Sequence, residues 1–464
     1  MSHLARTALA VAVDRLRPNS TAAAHRRSRD GGEEAGPRPP LPRIRWYGGA
    51  LTVLLACVFV SGVVRPEGAA ASAGPPSRAV VDITTVKVGD PGNAPAGIVP
   101  FQGPPQQGIY QNCDNAPSGC VLVGGVDYPY QTGELEITVG QYVDFLNTVD
   151  PAGKNRLNLY SDLMSPSSWP KYGSITRSSG PGVAEGHHYS VAYPQWTNKP
   201  FGFANFLRAA RFVNSLYNGD VLSRTESSAD GFDFVDYRVR LSRETEQGMY
   251  DLLGNRRSGA TRAHSSGFVV PSQDEWIKAA YFDPTGGGTF SYWQYPTGPF
   301  DAPNVSSLNP NNGDVVNSAT QPLSSYSLYG PPGAPAGSFP TWCPPQAGQV
   351  ACDSVNPLGL SPQMYQSLYQ GNLSTVGQAQ TRSPWGTLDQ GGNAVEWTDT
   401  ITPSPLGPLD PRVWRRLHGG VANAPAYQLW ISAIGLQPED NVFFDNTYPW
   451  LGFRIGVIGD LTAR

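Results

Sequence analysis

The chain has 464 residues, of which 39% are hydrophobic and 11% aromatic. This composition allows a substantial core in one large domain or two ordinary ones. Gly and Pro make up about a fifth of the chain, which predicts many turns, long loops and little helix. After residue 70 there are 23 Lys and Arg against 32 Asp and Glu, a formal net charge of −9. This excess of acidic residues disfavours a nucleic-acid partner, because phosphate binding needs clustered basic side chains.

The first 74 residues have the pattern of an export segment. Residues 1–45 form an Arg-rich tail, and the apolar run WYGGALTVLLACVFVSGVV at 46–64 is followed by the small residues GAAASAG. Residues 46–74 are therefore either a cleaved signal peptide or a single membrane anchor. Both alternatives place the rest of the chain outside the cytoplasm. We expect a secreted or extracytoplasmic protein that contacts a membrane only through residues 46–64, if these are retained.

Residues 75–112 are rich in Pro and Gly and are interpreted as a linker, so ordered structure is expected to begin near Cys113. The domain would then span 113–464, with a Pro/Gly/Ser-rich insertion at 330–380. In an exported protein, four cysteines outside the apolar run indicate two disulfides, and short separations favour Cys113–Cys120 and Cys343–Cys352. Three connectivities are formally possible. A metal site at NCDNAPSGC is less favoured, because its cysteine spacing is not typical of zinc sites.

Three helices are predicted in chain order. In ELEITVGQYVDFLNTV, the capping box Thr138/Gln141 begins a helix at 139–148. An apolar stripe in GFANFLRAARFVNSLYNG predicts a second helix at about 203–217. A second capping box, Ser272/Glu275, begins a third helix in VPSQDEWIKAAYF. Beyond residue 283 the helical periodicity ends, and short strands separated by long turns are expected.

Seven segments, in this order, resemble the formylglycine-generating enzyme, or sulfatase-modifying-factor, family over roughly residues 133–457. They are EITVGQYVDF, PFGFANFLRAARFVN, VPSQDEWIKAA, YP at 295–296, SPWGTLDQGGNAVEW, GG at 419–420 and GFR at 452–454. The resemblance implies one α+β domain of the C-type-lectin-like class. Such a domain would have low regular secondary structure, small antiparallel sheets, two or three helices and bound calcium.

The resemblance also implies calcium ligands. The first set would be the Asp389 and Glu396 side chains with the Gly392 and Ala394 carbonyls, and calcium does prefer such hard oxygen donors. A second set would comprise Asn304, Val305 and Asp314. The alternative for Glu396 is a capped turn in which it accepts backbone N–H bonds. The calcium interpretation predicts that Glu396→Ala lowers stability in calcium and changes little in chelator.

The resemblance implies a copper site that this sequence lacks. In the family, two cysteines follow the Gly-Gly motif and hold Cu(I), which prefers thiolates. Ala424 and Leu429 occupy those positions here, and no cysteine follows Cys352. We therefore expect no copper and no formylglycine-generating activity. The alternative is a sulfatase-modifying-type oxidoreductase with a non-standard metal site. The EGHHY segment at 185–189 is either a source of metal ligands or an exposed loop pair.

These observations favour an exported, calcium-stabilised and catalytically inactive domain that acts as a binding or structural module. The variable segment 421–451 would face a protein or glycan partner. Its aromatic residues are either contacts, since rigid aromatics dominate binding hot spots, or part of the core. They are Tyr427, Trp430, Phe443, Phe444, Tyr448 and Trp450.

Overall fold

The computed structural model describes ten stretches of the chain: residues 77–100, 108–168, 173–252, 259–306, 308, 314–319, 321–324, 373–422, 426–439 and 449–461. The apolar run 46–64, the Cys343–Cys352 pair and most of the insertion 330–380 lie outside these residues. Within the described stretches, no helix has the length and apolar character needed to cross a bilayer.

The described residues form an α+β fold with three α-helices, three short 3-10 helices and many short strands. The α-helices are α1 (Val139–Val149), α2 (Phe206–Tyr217) and α3 (Gln273–Tyr281). The strands are β1 (Val80–Val88), β2 (Ala96–Ile98), β3 (Ile109–Tyr110), β4 (Val121–Val123), β5 (Tyr130–Gly133), β6 (Ile175–Arg177), β7 (Tyr189–Val191), β8 (Asp220–Ala229), β9 (Phe232–Arg240), β10 (Gly267–Val269), β11 (Asn304–Val305), β12 (Leu323–Ser324), β13 (Val395–Thr402), β14 (Trp414–His418), β15 (Gly435–Pro438), β16 (Leu451–Gly452) and β17 (Gly456–Ile458).

The largest sheet has six antiparallel strands in the order β10-β17-β5-β1-β9-β8. Strand β1 lies inside it, paired with β5 and β9, and buries Val81, Ile83 and Val86. The expectation that residues 75–112 are a linker and that order begins near Cys113 is therefore wrong. The Pro- and Gly-rich residues on both sides of VVDITTVKV obscured its strand character.

A four-stranded sheet, β15-β14-β13-β16, carries most of the candidate site. Strand β13 pairs antiparallel with β14, placing Glu396 opposite His418, and parallel with β16, placing Glu396 opposite Gly452. A smaller sheet, β3-β2-β4, is closed by a disulfide between Cys113 and Cys120. The predicted local pairing of these two cysteines is confirmed.

The capping boxes predicted from the sequence begin α1 and α3 as expected. The Thr138 hydroxyl accepts from the Gln141 backbone N–H, and Ser272 does the same for Glu275. Helix α2 begins at Phe206 rather than near residue 203, because the Asn205 side chain caps it by accepting from the Arg208 N–H. Phe203 has a positive φ of 60°, which no helical residue adopts.

Aromatic side chains fill the space between α1, α2 and the strands. Tyr142 of α1 stacks on Phe201 with ring centroids 3.5 Å apart, and Phe212 of α2 meets Phe453 edge to face at 5.6 Å. All four rings are at most 1% exposed. Burial on this scale makes hydrophobic packing the main stabilising term. It also fixes Phe453, whose chain neighbour Arg454 belongs to the candidate site.

Candidate functional site

The segment GGNAVEWTD at 391–399 begins as a tight turn and continues into β13. Asp389, Gly392 and Asn393 all have positive φ, at 57°, 94° and 59°. Gly, Asn and Asp tolerate this region best, so this composition suits the turn. The Gly392 N–H donates to the Gly419 carbonyl at 2.6 Å. The turn is thereby attached to the Gly-Gly loop.

The Glu396 side chain is held by Arg454 and Trp276. Its Oε1 accepts from Arg454 Nη2 at 2.6 Å, and its Oε2 accepts from Arg454 Nε at 2.7 Å. The Trp276 indole N–H also donates to Oε2 at 2.7 Å. All three residues are 0% exposed. This buried ion pair joins the GGNAVEW, DEWIKAA and GFR segments.

Two further contacts attach the remaining long motifs to the same turn. Glu136 of EITVGQYVDF accepts from Asn393 Nδ2 at 2.8 Å and from the Ala394 N–H at 2.9 Å. The Trp397 indole N–H donates to the Ala204 carbonyl, in PFGFANF, at 3.0 Å. Residues 392–397 therefore hold together five segments that lie far apart in the sequence.

Sequence reasoning missed Glu136. Glu136 lies among apolar residues in ELEITV and is 2% exposed. The available signal was a charged residue at a position of the segment that faces the interior. Burial, followed by the negative charges of Asp389 and Glu396, raises the pKa of Glu136 well above its usual range. Burial likewise raises the pKa of Asp389 to about 6. The Arg454 guanidinium thus lies within electrostatic range of three buried carboxylates and is hydrogen-bonded to that of Glu396.

The first predicted calcium set does not fit in full. Both Glu396 oxygens are bound to the Arg454 guanidinium, and a calcium ion on them would bring two cations into contact. The capped-turn alternative is also not what is found, since the partners of Glu396 are side chains. Asp389 Oδ2 accepts from the Gly377 N–H at 2.5 Å. Calcium binding by Asp389 and the Gly392 and Ala394 carbonyls stays a prediction.

The second predicted set lies around β11 and is extensively hydrogen-bonded internally. The Val305 carbonyl accepts from Asn317 Nδ2 at 3.0 Å. Asp314 Oδ1 accepts from Thr375 Oγ1 at 3.0 Å and from Gln378 Nε2 at 2.9 Å. Among the described residues, no three His, Cys, Asp or Glu side chains are grouped so that they could hold a metal ion. A role for Asn304, Val305 and Asp314 in calcium binding also stays a prediction.

A buried lysine lies near this second set. Lys199 is 2% exposed and donates to the Leu373 carbonyl. Burial lowers the pKa of Lys199 to about 7, and the negative charge of Asp314 partly opposes that shift. The carboxylate of Asp314 therefore favours the charged form of Lys199.

The position of the second copper cysteine is apolar and closed. Leu429 ends a 3-10 helix, Ala426–Leu429, and is 0% exposed in a cluster with Tyr295 and Trp430. Its carbonyl accepts from the Tyr281 hydroxyl at 2.9 Å. The other position, Ala424, lies outside the described residues. Leu429 offers no ligand atom that could replace a thiolate.

His418 precedes the Gly-Gly loop and is 1% exposed. Its ring stacks on Trp276 with centroids 5.1 Å apart, and its Nε2 has no hydrogen-bond partner among the described residues. Burial, with a smaller contribution from the positive charge of Arg416, lowers the pKa of His418 to about 3. The imidazole is therefore neutral at ordinary pH.

The predicted aromatic binding surface is only partly described. Trp430 is 7% exposed and packs against Tyr295 and Leu429, so it belongs to a hydrophobic cluster rather than to an open surface. Tyr427 and Trp450 are half-buried. Phe443, Phe444 and Tyr448 lie outside the described residues.

The histidine pair in EGHHY is divided between two environments. His187 is exposed, whereas His188 is half-buried and its Nδ1 lies 2.7 Å from the Ser178 carbonyl. Both residues precede β7, which begins at Tyr189. The two rings therefore have different surroundings, and a metal-binding role for this pair stays a prediction.

Comparison with known proteins gives matches to structures only. No protein-family model and no curated protein sequence matches the chain. CarF aligns at 13% identity over 82% of this chain and 99% of its own, with a TM-score of 0.31. Treponema denticola variable protein 1 aligns at 15% identity over 82% and 99%, with a TM-score of 0.34. PvdO from Pseudomonas aeruginosa aligns at 10% identity over 82% and 94%, with a TM-score of 0.30. These scores are too low to assign the chain to a family.

Proposed function

We propose that the chain is an exported, catalytically inactive relative of the formylglycine-generating enzymes, with a C-type-lectin-like fold, that serves as a binding or structural module. The main observation in support is Leu429. The resemblance requires a thiolate there, and the chain has a fully buried leucine packed against Tyr295 and Trp430. A copper ion would need both a sulfur donor and open space, and this position supplies neither.

The contacts of residues 392–397 support the family part of the proposal independently of the alignments. Segments named for their resemblance meet through specific contacts: Glu396 with Arg454, Glu396 with Trp276, and Ala394 with Glu136. Motifs that matched by chance would have no reason to converge. The presence of these family-like motifs at one structural centre, without the copper ligands, is what an inactive module would show.

In this proposal the segment 421–451 presents the binding face, and a protein is the favoured partner. Tyr427 and Trp450 are the described aromatic residues of that segment that keep exposed area. Rigid aromatic side chains of this kind contribute strongly to protein interfaces. Calcium bound by Asp389 and its neighbouring carbonyls, if present, would order the turn beside this face.

We expect the purified chain to leave a sulfatase-type cysteine peptide unconverted when copper and reductant are supplied. The physical reason is the missing thiolate pair, without which Cu(I) cannot be held beside the substrate sulfur. Mass spectrometry of the peptide and metal analysis of the protein measure the two steps separately. Ala424→Cys/Leu429→Cys supplies two thiolates and replaces the leucine side chain by a smaller one, so this variant should regain copper binding. The control Ala424→Ser/Leu429→Ser should not.

Two outcomes would contradict the proposal. Copper-dependent conversion by the unchanged chain, above a no-enzyme reaction, would show that it is an enzyme. Stoichiometric copper or iron retained through purification would favour the alternative oxidoreductase. Calcium alone in the metal analysis would support the binding module.

A further inference from the structure

A polar cleft lies away from the Gly-Gly loop and has no role in the function proposed above. Its volume is about 680 Å³, within the range of small-molecule sites. One wall is the 3-10 turn Asp162–Met164 and the residues up to 168, and the other is the β6–β7 hairpin continued to Tyr193. We propose that this cleft binds a short, neutral saccharide.

The chemistry of the lining carries the proposal. Of the eleven described residues that line the cleft, seven bear a hydroxyl group, five being Ser or Thr and two being Tyr. Hydroxyls both donate and accept, as do the hydroxyls of a sugar, so a saccharide can satisfy such a surface without burying an unpaired polar atom. An apolar peptide side chain would displace water from this surface without replacing the hydrogen bonds that the water makes. The lining therefore favours a polyhydroxylated ligand over a hydrophobic one.

The two charged residues of the lining balance each other. Asp162 is exposed, and its carboxylate makes no hydrogen bond with the described residues, so both of its oxygens can accept from neighbouring hydroxyls of a sugar. Arg177 is fixed by donating from Nε and Nη2 to the Gly153 carbonyl at 3.2 and 2.5 Å. Among the lining residues that the structure describes, one acid and one base give no net charge. A neutral ligand fits this balance better than a sulfated or phosphorylated one.

The walls are pre-organised by internal hydrogen bonds. Ser165 and Ser167 join through their hydroxyls at 2.8 Å, and Thr176 joins Ser190 across the hairpin at 2.7 Å. Tyr160, 3% exposed, and the half-buried Tyr193 also line the cleft. An aromatic ring can pack against the C–H face of a pyranose. Such fixed walls reduce the ordering cost of binding.

The test is saturation-transfer NMR on the full chain with four probes: maltose, cellobiose, lactose and N,N′-diacetylchitobiose. We expect transfer to the ring protons of at least one probe. Tyr193→Ala and Asp162→Asn should each raise the Kd for that saccharide about tenfold, which is the effect of losing one good contact or one charged hydrogen bond. Phe300→Ala and Asp301→Asn are matched controls, because both residues are exposed and neither lines the cleft.

Several results would overturn the proposal. They are an absence of transfer to all four probes, or parent-like affinity in both cleft variants. A loss of saccharide binding in Tyr427→Ala but not in Tyr193→Ala would place the site in segment 421–451 instead. Thermal unfolding of each variant separates a lost contact from a lost fold. Failure of this test leaves the copper experiment unaffected, because the two involve different residues.

Discussion

Glu396→Ala is expected to lower the free energy of unfolding by about 3–5 kcal/mol, in calcium and in chelator alike. The variant would leave the Arg454 guanidinium buried at 0% exposure without its carboxylate partner. It would also remove the acceptor of the Trp276 indole N–H. Both costs arise from the protein's own groups, so neither depends on a bound ion.

Urea unfolding followed by tryptophan fluorescence, with calcium and with chelator, measures this effect. Glu226→Ala is the matched control. Glu226 lies on the exposed strand β8 and pairs with Arg224 of the same strand and with Lys87 of β1. Exposed ion pairs of this kind contribute little to stability. The double variant Glu396→Gln/Arg454→Met should lose less free energy of unfolding than the sum of the losses in the two single variants. A loss confined to the calcium buffer would instead identify Glu396 as a calcium ligand.

Local signals in the sequence predicted local structure well. Capping boxes at Thr138 and Ser272 lie within three residues of their partners, so the chemistry that begins α1 and α3 is visible in a short window. The Cys113–Cys120 disulfide is equally local, with a separation of seven residues. The start of α2 was displaced because the capping role of Asn205 was not recognised against a strong apolar stripe.

Long-range pairing could not be read from the sequence. Arg454 lies 58 residues from Glu396 and 318 from Glu136, and only the folded sheets bring these groups together. The resemblance implied a role for Glu396, but as a ligand of calcium rather than as the ion-pair partner of Arg454. Strand β1 was missed for a related reason, because its pairing with β9 depends on residues about 150 positions away. Composition near a strand does not reveal partners at that distance.

His418 should make the stability of the protein fall as the pH drops below about 6.5. Its pKa is about 3 in the folded state and about 6.5 when unfolded, so between these values the unfolded chain binds the extra proton. The contribution of His418 to stability is therefore complete above the unfolded pKa and is lost as the pH falls toward the folded pKa. The loss for one such group between pH 7 and pH 4 is about 3 kcal/mol.

The buried carboxylates act in the opposite direction. Asp389 has a pKa of about 6 in the folded state, above its unfolded value of about 3.9. The folded chain therefore holds that proton longer, and the stability from Asp389 decreases as the pH rises from about 4 to about 6. The pH profile of the parent protein alone would mix the two effects. Comparison with a variant that lacks only the imidazole separates them.

His418→Phe is that variant, because a phenyl ring can keep the stacking on Trp276 while removing the buried Nε2 that has no partner among the described residues. We expect the free energy of unfolding of the variant, relative to that of the parent, to rise by about 3 kcal/mol as the pH is lowered from 7 to 4. Urea unfolding at each pH measures this difference. His264→Phe is the control for loss of a histidine, since His264 is exposed and stacks on Tyr217. A constant difference between His418→Phe and the parent across this range would mean that His418 does not titrate as a buried neutral group. The His418 ring, which lies opposite Glu396 in the sheet, would then have to carry a proton or make a hydrogen bond that the described contacts do not supply.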